Sequence, residues 1–410
     1  FRHKHSTELA IVELMDSITK TLDKGKKPFS LFIDLSKAFD CLDHTILINK
    51  LKYYGVDGTA LSVLTSYLTN RVQYTYNGNY KSINLPITTG VPQGSILGPF
   101  LFLIYMNDFS NASNKVSIIN YADDTVLSSS LCSFQNPICE NINKEIDKIN
   151  IWLQVNKLCV NVEKSKVMFF YAKSKPKNTP VICLNNKPIE VVDSFNYLGV
   201  IINHDLKWNN HIASTSAKIS KTIGIMKLLK NQLPQTVLKI IYQSLIACRL
   251  NYGLLVWGGT CSRILKLQKK AVRLITGAKY NAHTEPIFKK LNILRVEDMY
   301  KLNVLKFYYN YKNNHLPIYF MNSFIENNTV QHNYRTRGRG ALPIPRFGHE
   351  YFRLSLRYSI VKIVNECPGN IIDKINTHSL HGFTNYAKNF MINRYNEVCT
   401  VQNCYICGRT

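Results

Sequence analysis

Two adjacent aspartates in a β-prone stretch constrain this chain more than any other feature. Asp123 and Asp124 lie within SIINYADDTVLSSS (117–130), with Ile, Tyr, Thr, Val and Leu side chains on both sides. This pattern predicts two short strands joined by a tight turn, with the carboxylates at the tip of a β-hairpin. Two neighbouring carboxylates repel each other, so a cation beside them would make such a turn less costly. The alternative is an ordinary turn with two solvated aspartates.

A third aspartate ends another predicted strand. In FSLFIDLSKAFD (29–40) the apolar residues alternate as in a strand, and Asp34 lies at its end. The residues that follow, 40–55, predict a helix that is capped by Asp40 and closed by Gly55. A strand that leads directly into a helix is a rigid platform for a metal or phosphate site.

Together the three aspartates predict a metal site. Carboxylates from two adjacent strands are the minimal ligand set for two Mg²⁺ ions about 3.5–4 Å apart. Such a pair activates an attacking hydroxyl and neutralises charge on a leaving phosphate. Mg²⁺ prefers oxygen ligands and keeps waters that substrate phosphates can replace, and Mn²⁺ is its expected substitute.

The composition favours a nucleic-acid partner. Lys and Arg number 51 against 26 for Asp and Glu, which gives the 410-residue chain a formal net charge of +25. Chains this basic usually meet polyanions. The longest apolar run, residues 96–106, is too short to span a membrane, so we predict no membrane association. The 11 cysteines are mostly scattered singly, as expected for reduced thiols in an intracellular protein.

The element pattern predicts an α+β fold followed by a helical region. Strand and helix signals are mixed through residues 1–205, whereas helical patterns rich in Lys dominate from 206 to about 330. Residues 331–410 form a basic C-terminal segment for which the sequence predicts no definite fold. The chain begins with Phe1 and has no signal peptide, and we interpret it as an N-terminally truncated fragment of a longer polypeptide.

Motif by motif, the chain resembles the reverse transcriptases of non-LTR (LINE-type) retrotransposons, particularly the jockey and CR-one-like groups. The matching stretches are FIDLSKAFDCLDH for motif A, GVPQGSILGPFLFLIYMND for motif B, YADD for motif C, NKLCVNVEKSKVMFF for motif D and YLGVIIN for motif E. Residues 267–294 resemble the helical thumb and downstream region of the same elements. The five motifs follow one another in the family's order.

This resemblance implies a right-hand polymerase fold. Residues 1–205 would hold part of the fingers and a palm, an antiparallel sheet with helices on one face, and residues 206–330 the thumb and connection. The implied activity is RNA-directed DNA synthesis by two-metal nucleotidyl transfer, with priming at the target DNA. The partners would be an RNA template, a DNA primer or target DNA, and deoxynucleoside triphosphates. The implied location is the nucleus or a cytoplasmic ribonucleoprotein, and the oligomeric state is not predicted.

The resemblance also assigns the catalytic and nucleotide-binding residues. Asp34, Asp123 and Asp124 become the ligands of the metal ions. Phe39 occupies the position of the steric gate, where a bulky ring leaves no room for a ribose 2′-hydroxyl. The nucleotide-facing turn of motif B is represented by Gln93 and Gly94, and the lysine of motif D, near the leaving pyrophosphate, by Lys164. Core packing for Phe39 and a solvated lysine for Lys164 are the alternatives.

Further residues are candidates for nucleic-acid contact. Motif E corresponds to the primer grip, here Tyr197, Leu198 and Gly199. In the thumb, four basic residues recur at helical spacing beside an apolar stripe: Arg263, Lys266, Lys270 and Arg273. The stretch YRTRGRG (334–340) adds a basic loop with Arg335 and Arg337. A merely solvated basic face is the alternative in both regions.

The chain departs from the family at both ends. Finger motifs that precede motif A are missing except for Arg2, and so is the endonuclease that usually precedes the polymerase. Near the C-terminus three cysteines, Cys399, Cys404 and Cys407, follow two histidines, His378 and His381, but the spacing is irregular and we predict no zinc site.

Two other functions compete with a reverse transcriptase. An RNA-directed RNA polymerase shares the palm and the paired aspartates, although Phe39 argues against it. A catalytically inactive remnant that only binds RNA could retain its aspartates after losing its fingers. Nucleotide choice in primer extension separates the first alternative, and the ability to extend a primer separates the second.

Overall fold

The computed structural model describes residues 3–131, 136–171, 179–323, 342–344, 348, 352–353 and 355–397. The chain divides into two compact units. The first unit consists of Phe1–His3 and Gly25–Phe195, and the second of Lys4–Lys24 and Asn196–Thr410. The N-terminal helix therefore belongs to the second unit, whereas the predicted domain division at residue 205 stays a prediction.

The strands are short except for three in the first unit. In chain order they are β1 (Lys27–Ile33), β2 (Arg71–Gln73), β3 (Tyr76–Asn77), β4 (Tyr80–Lys81), β5 (Leu85–Ile87), β6 (Ser117–Tyr121), β7 (Asp124–Leu131), β8 (Lys166–Phe169), β9 (Cys183–Leu184), β10 (Lys187–Pro188), β11 (Glu190–Val191), β12 (Ser194–Tyr197) and β13 (Val200–Asn203).

Helices account for most of the remaining regular structure. They are α1 (Thr7–Asp23), α2 (His44–Tyr53), α3 (Gly58–Leu68), α4 (Leu97–Met106), α5 (Asn136–Val155), α6 (Asn209–Leu229), α7 (Gln235–Ile241), α8 (Cys248–Asn251), α9 (Leu254–Trp257), α10 (Ser262–Thr276), α11 (Glu285–Leu291), α12 (Val296–Lys312), α13 (Ile318–Ser323), α14 (Leu356–Glu366), α15 (Gly369–Ile372), α16 (Lys374–Thr377) and α17 (Leu380–Asn393). A π-helical stretch, Tyr242–Ala247, joins α7 to α8.

A five-stranded sheet in the order β11-β8-β1-β7-β6 organises the first unit. Strand β1 lies between β7 and β8 and is antiparallel to both. Strands β6 and β7 form the hairpin that the sequence predicts. Within this sheet, the pairing of β11 with β8 is parallel and the others are antiparallel. The predicted mixture of helices and sheet is thereby confirmed.

The core of this unit lies between the sheet and its helices. Alternate residues of β1, namely Phe29, Leu31 and Ile33, join buried residues of α2, α4 and α5 in one cluster. The alternation follows from the two-residue period of a strand, which directs every second side chain to the same face. The helices therefore cover one face of the sheet, and β1 is fixed at its centre.

The start of α2 differs from the prediction. Asp43 is the N-cap, and its carboxylate accepts a hydrogen bond from the Ile46 N–H at 2.9 Å. The prediction that Asp40 caps this helix is therefore wrong. Residues 36–40 form turns instead, and this shift leaves the Asp40 side chain available for another contact.

The second unit is mainly helical. Its centre includes Gln268 of α10, which is fully buried. The Gln268 amide group donates to Tyr242 Oη at 2.8 Å and to the Leu294 carbonyl at 2.9 Å, while its oxygen accepts from the Val296 N–H at 2.8 Å. Because a buried amide is costly unless its groups are paired, these bonds fix α10 against its neighbours.

A buried ion pair ties α1 into the second unit. Asp16 accepts hydrogen bonds from Arg357 of α14, one of them at 3.0 Å, and from Tyr319 Oη at 2.6 Å. Both Asp16 and Arg357 are almost fully buried. The pair explains why residues 4–24 group with the second unit. Among the described residues the cysteines are free thiols, and no disulfide is present.

Candidate active site

The three predicted metal ligands lie at the same end of two paired strands. Ile33, the last residue of β1, pairs with Thr125 of β7. Asp34 follows Ile33 and Asp124 precedes Thr125, so both aspartates lie next to this pair. Asp124 is the first residue of β7 and pairs with Tyr121 of β6. Asp123 occupies the second position of the two-residue turn between them. The predicted hairpin beside β1 is confirmed.

The turn itself is strained. Ala122, its first residue, has a φ of +53°, in the left-handed region that residues with a Cβ rarely adopt. Such conformations cost on the order of 1–3 kcal/mol and concentrate at functional sites. The strain is consistent with a turn that is held for the position of the adjacent carboxylates.

Negative charge is concentrated at this turn. The pKa of Asp124 is raised above its ordinary value, first by partial desolvation and then by the charges of Asp123 and Asp34. The three carboxylates therefore interact electrostatically, and a divalent cation would relieve their repulsion. The donor set is all oxygen, which suits a hard cation. Within the described residues, however, no three His, Cys, Asp or Glu side chains form a ready-made metal site.

The backbone of Asp34 is held by the loop before β8. Its N–H donates to Ser165 Oγ at 3.1 Å, and its carbonyl accepts from the Asn161 N–H at 2.8 Å. Two residues further along, the Ser36 N–H donates to the Cys159 carbonyl at 2.8 Å. The same loop carries Lys164, which is exposed. The backbone N–H of Lys164 donates to Asn161 Oδ1 at 3.2 Å. Asp34 and Lys164 are thus brought together in one hydrogen-bonded segment.

Phe39 lies against helix α4. Its half-buried ring stacks on the buried ring of Phe102, with a centroid separation of 4.5 Å and an interplanar angle of 26°. The Phe39 carbonyl accepts from the Val91 N–H at 3.0 Å. The ring is therefore supported from behind but is not enclosed, so both the steric gate and the core-packing reading are compatible with its position.

The motif B loop is fastened to the segment after Asp34. Gln93 Nε2 donates to Asp40 Oδ1 at 2.8 Å, and both side chains are exposed. Gly94, with a φ of +82°, has no described atom within 4 Å of where a Cβ would lie. Gly90 is different, because a Cβ there would lie 2.8 Å from the Asp40 carbonyl oxygen. The sequence analysis did not assign Asp40 or Gly90 to the site. An aspartate can accept the hydrogen bond from Gln93, and a glycine allows the close approach to the Asp40 backbone.

Leu198 and Gly199 form the turn between β12 and β13, and Tyr197 is the last residue of β12. Leu198 and Gly199 both have positive φ, +46° and +79°. Tyr252 Oη donates to the Leu198 carbonyl at 2.6 Å and supports the turn within the second unit. Tyr197 is only 2% exposed, so its side chain is not available for the predicted nucleic-acid contact. Of these three residues, Leu198 and Gly199 in the turn remain candidates for nucleic-acid contact.

Helix α10 presents a basic face. Arg263, Lys266 and Lys270 are exposed, and buried residues of the opposite face include Ile264 and Ala271. The fourth predicted residue differs, because Arg273 is half-buried and its Nε donates to the Ala282 carbonyl at 2.8 Å. Burial also lowers the pKa of Arg273 from its usual value. Arg273 therefore has a contact of its own inside the unit, whereas the other three face outward.

Several predicted residues lie outside the described residues. They are Arg2, Arg335, Arg337, Cys399, Cys404 and Cys407. The two histidines of the rejected zinc site are described. His378 Nδ1 lies 2.9 Å from Thr377 Oγ1, and His381 Nε2 lies 2.8 Å from Asn385 Nδ2.

Comparison with protein families identifies the first half of the chain. Residues 1–202 match the family described as reverse transcriptase (RNA-dependent DNA polymerase). This stretch contains Asp34, Asp123 and Asp124, and members of the family generally depend on a divalent metal ion. The predicted resemblance to reverse transcriptases is confirmed.

Similar curated proteins are RNA-directed DNA polymerases of mobile elements. The chain is 27% identical over 312 residues to the RNA-directed DNA polymerase from mobile element jockey of Drosophila melanogaster, covering 73% of this chain and 34% of that protein. It is 29% identical over 320 residues to the probable RNA-directed DNA polymerase from transposon BS of the same organism, with the same coverage. The chain thus spans about a third of the length of these relatives.

Solved structures give a weaker likeness. A telomerase from Candida albicans in complex with a fragment of telomeric RNA has a TM-score of 0.36 and 13% identity, covering 73% of this chain and 52% of that chain. This likeness is too slight to support an inference. Among the helices of the described residues, none combines the length and apolar character needed to cross a membrane.

Proposed function

We propose that this chain is the polymerase region of a non-LTR retrotransposon protein and synthesises DNA on an RNA template. The single observation that carries the proposal is the convergence of Asp34, Asp123 and Asp124 at the ends of β1 and the β6–β7 hairpin, inside a reverse transcriptase domain. The raised pKa of Asp124 supports it, since concentrated negative charge favours binding of divalent cations.

The three aspartates would hold two Mg²⁺ ions, with Mn²⁺ as the substitute. When bound, such ions activate the primer hydroxyl and offset charge on the transferred phosphate. The chain's own residues bind and orient the substrates. Phe39 would exclude nucleotides that carry a ribose 2′-hydroxyl and so select deoxynucleoside triphosphates. Gln93 and Gly94 would form the turn that contacts the incoming nucleotide. Lys164 would donate a proton to the pyrophosphate or offset its charge.

Nucleic acid would be bound through the second unit. The exposed Arg263, Lys266 and Lys270 of α10 would contact the phosphates of the template–primer duplex, and the turn at Leu198 and Gly199 the primer strand. Priming on target DNA and a location in the nucleus or a cytoplasmic ribonucleoprotein belong to the same proposal. They rest on the similarity to the mobile-element polymerases.

A remnant that binds RNA without copying it is the second candidate. One observation favours it: among the described residues, no three His, Cys, Asp or Glu side chains are already arranged to hold a metal ion. The two candidates share the basic surface and differ in catalysis. They are therefore separated by measuring primer extension and RNA affinity on the same variants.

The test compares wild type with Asp123→Asn, which keeps the shape of the side chain and removes its charge. Extension of a DNA primer on an RNA template with Mg²⁺ and deoxynucleotides should fall by on the order of a thousandfold, because a neutral amide is a poor ligand for Mg²⁺. RNA affinity should persist and should weaken as salt rises, since it depends on Lys and Arg contacts with phosphate.

A matched control comes from the same unit. Asp57 is exposed and makes no side-chain capping bond in the described structure, so Asp57→Asn removes an equal charge away from the site. The control should extend primers at the wild-type rate. If wild type binds RNA but never extends a primer, the polymerase proposal fails and the remnant stands.

A further inference from the structure

The end of strand β1 depends on a loop for its hydrogen bonds. The β1–β8 ladder ends where Phe32 pairs with Lys166, two residues before Asp34. Beyond that point the strand partner is replaced by residues 159–165. Because a metal-binding carboxylate must be held within a fraction of an ångström to work, the groups that fix the Asp34 backbone are part of the site.

Three hydrogen bonds form a closed ring at this point. The Asp34 N–H donates to Ser165 Oγ at 3.1 Å, and the Ser165 hydroxyl donates to the Asn161 carbonyl at 2.7 Å. The Asn161 N–H then donates to the Asp34 carbonyl at 2.8 Å. Ser165 is therefore both acceptor and donor, a double role that a hydroxyl can perform and a methyl group cannot.

The ring also fixes the lysine next to Ser165. The Lys164 N–H donates to the Asn161 side chain at 3.2 Å, and the Ser165 N–H to the Asn161 carbonyl at 2.9 Å. Ser165 itself is fully buried. The Asp34 backbone and the segment that carries Lys164 are thus joined by the buried Ser165 hydroxyl together with the Asn161 N–H.

We infer that Ser165 is a positioning residue: its hydroxyl holds Asp34, and with it the metal-binding carboxylate, in register with the Lys164 loop. The inference rests on the proposed function, because it assigns Asp34 to a metal site. Ser165 does not itself touch metal or substrate. Groups that orient metal ligands from behind typically change metal affinity or activity by about 10- to 100-fold when they are removed.

The chain offers a matched control in β1, the strand whose end Ser165 contacts. Ser30 of β1 is also fully buried, but its Oγ has no hydrogen-bond partner among the described residues. Ser30→Ala removes the same atom from β1, the strand that Ser165 supports, without breaking a bond. A loss of Mn²⁺ affinity that is common to Ser30→Ala and Ser165→Ala therefore reflects general packing. Only the difference in affinity between the two variants measures the effect of the hydrogen-bonded ring.

The experiment measures Mn²⁺ binding by the 410-residue chain, using the electron paramagnetic resonance signal of free Mn²⁺. Asp34→Asn first identifies the binding that belongs to the site. At that site Ser165→Ala should weaken Mn²⁺ affinity by about 10-fold or more. Ser165→Thr keeps the hydroxyl and should restore most of the affinity, while Ser30→Ala should bind as wild type does. The Mg²⁺ concentration for half-maximal primer extension should rise in parallel with the loss of affinity.

Each other outcome overturns the inference. If Ser165→Ala binds Mn²⁺ as tightly as wild type, or no more weakly than Ser30→Ala, Ser165 has no positioning role. Should Ser165→Ala fail to fold, Ser165→Cys preserves the side-chain volume with a weakly bonding sulfur, and wild-type affinity in that variant has the same meaning. Wild type without any Asp34-dependent binding contradicts the metal site itself, and the proposed function falls together with the inference.

Discussion

Two glycines with nearly the same backbone conformation differ in what a side chain would meet. Gly90 and Gly94 have φ values of +83° and +82°, so replacing either by alanine imposes a similar left-handed strain. At Gly90 the new Cβ would also lie 2.8 Å from the Asp40 carbonyl oxygen and 2.9 Å from Asp40 Cα. At Gly94 no described atom lies within 4 Å. The pair therefore separates strain from steric contact.

The expected magnitudes follow from these two contributions. Left-handed strain costs roughly 1–2 kcal/mol for a residue with a Cβ, and Gly94→Ala should lose about that much. Gly90→Ala should lose the same amount plus about 1–3 kcal/mol, the usual cost of overpacking, because both colliding atoms belong to the backbone. The Gly90 and Val91 N–H groups also donate hydrogen bonds to the Leu42 and Phe39 carbonyls, at 2.8 and 3.0 Å, and these bonds limit how far the segment can move aside.

Amide hydrogen exchange of peptides that cover residues 38–47 and 85–95 measures this difference locally. The chain has two compact units, so a local opening free energy is better defined than a single melting temperature. The additional 1–3 kcal/mol should make these peptides exchange roughly 5- to 150-fold faster in Gly90→Ala than in Gly94→Ala. Equal exchange in the two variants would refute the close approach of Gly90 to Asp40.

Two further predictions concern the gate and a buried histidine. Phe39→Val should raise ribonucleotide incorporation relative to deoxynucleotide by roughly 10- to 100-fold in primer extension, because a smaller side chain admits the 2′-hydroxyl; unchanged selectivity would leave Phe39 as a packing residue against Phe102. Burial, with a smaller effect of Lys218, lowers the pKa of His211 to about 4 from 6.5. The unfolded chain therefore binds more protons between these values, and the second unit should lose stability as pH falls through that window. Fluorescence of Trp257, whose ring centroid lies 5.4 Å from that of His211, should report this loss, and His211→Leu should flatten it.

Local turn chemistry was predictable from the sequence. The adjacent asparagines Asn185 and Asn186 predict a tight turn between two short strands, and both have positive φ, +53° and +57°. They join β9 to β10 through the pairing of Leu184 with Lys187. Asparagine tolerates this conformation better than most residues, so the signal is contained in the two residues themselves. The β6–β7 hairpin was predicted from a different signal, the β-prone residues on both sides of its turn.

Competition between two similar signals could not be resolved in the same way. Asp40 and Asp43 both precede the apolar pattern of α2, and both are good capping residues. Asp43 caps the helix, while Asp40 accepts a hydrogen bond from Gln93, which lies 53 positions further along the chain. The choice depends on a tertiary contact, and a local pattern does not contain it.

The uncharged polar residues at the centre of each unit were the least predictable. Ser165 contacts Asp34 across 131 positions, and Gln268 contacts Tyr242 and Leu294 across 26. In the sequence, Ser165 is a small residue beside a more conspicuous lysine, and Gln268 is one polar residue among the basic residues of α10. Each is fully buried. A buried polar group is tolerated only where its partners are in place, so these two residues depend on the fold being formed. The charged residues that identify the chemistry can be recognised from their pattern, but the residues that hold them in position can be recognised only once the partners are known.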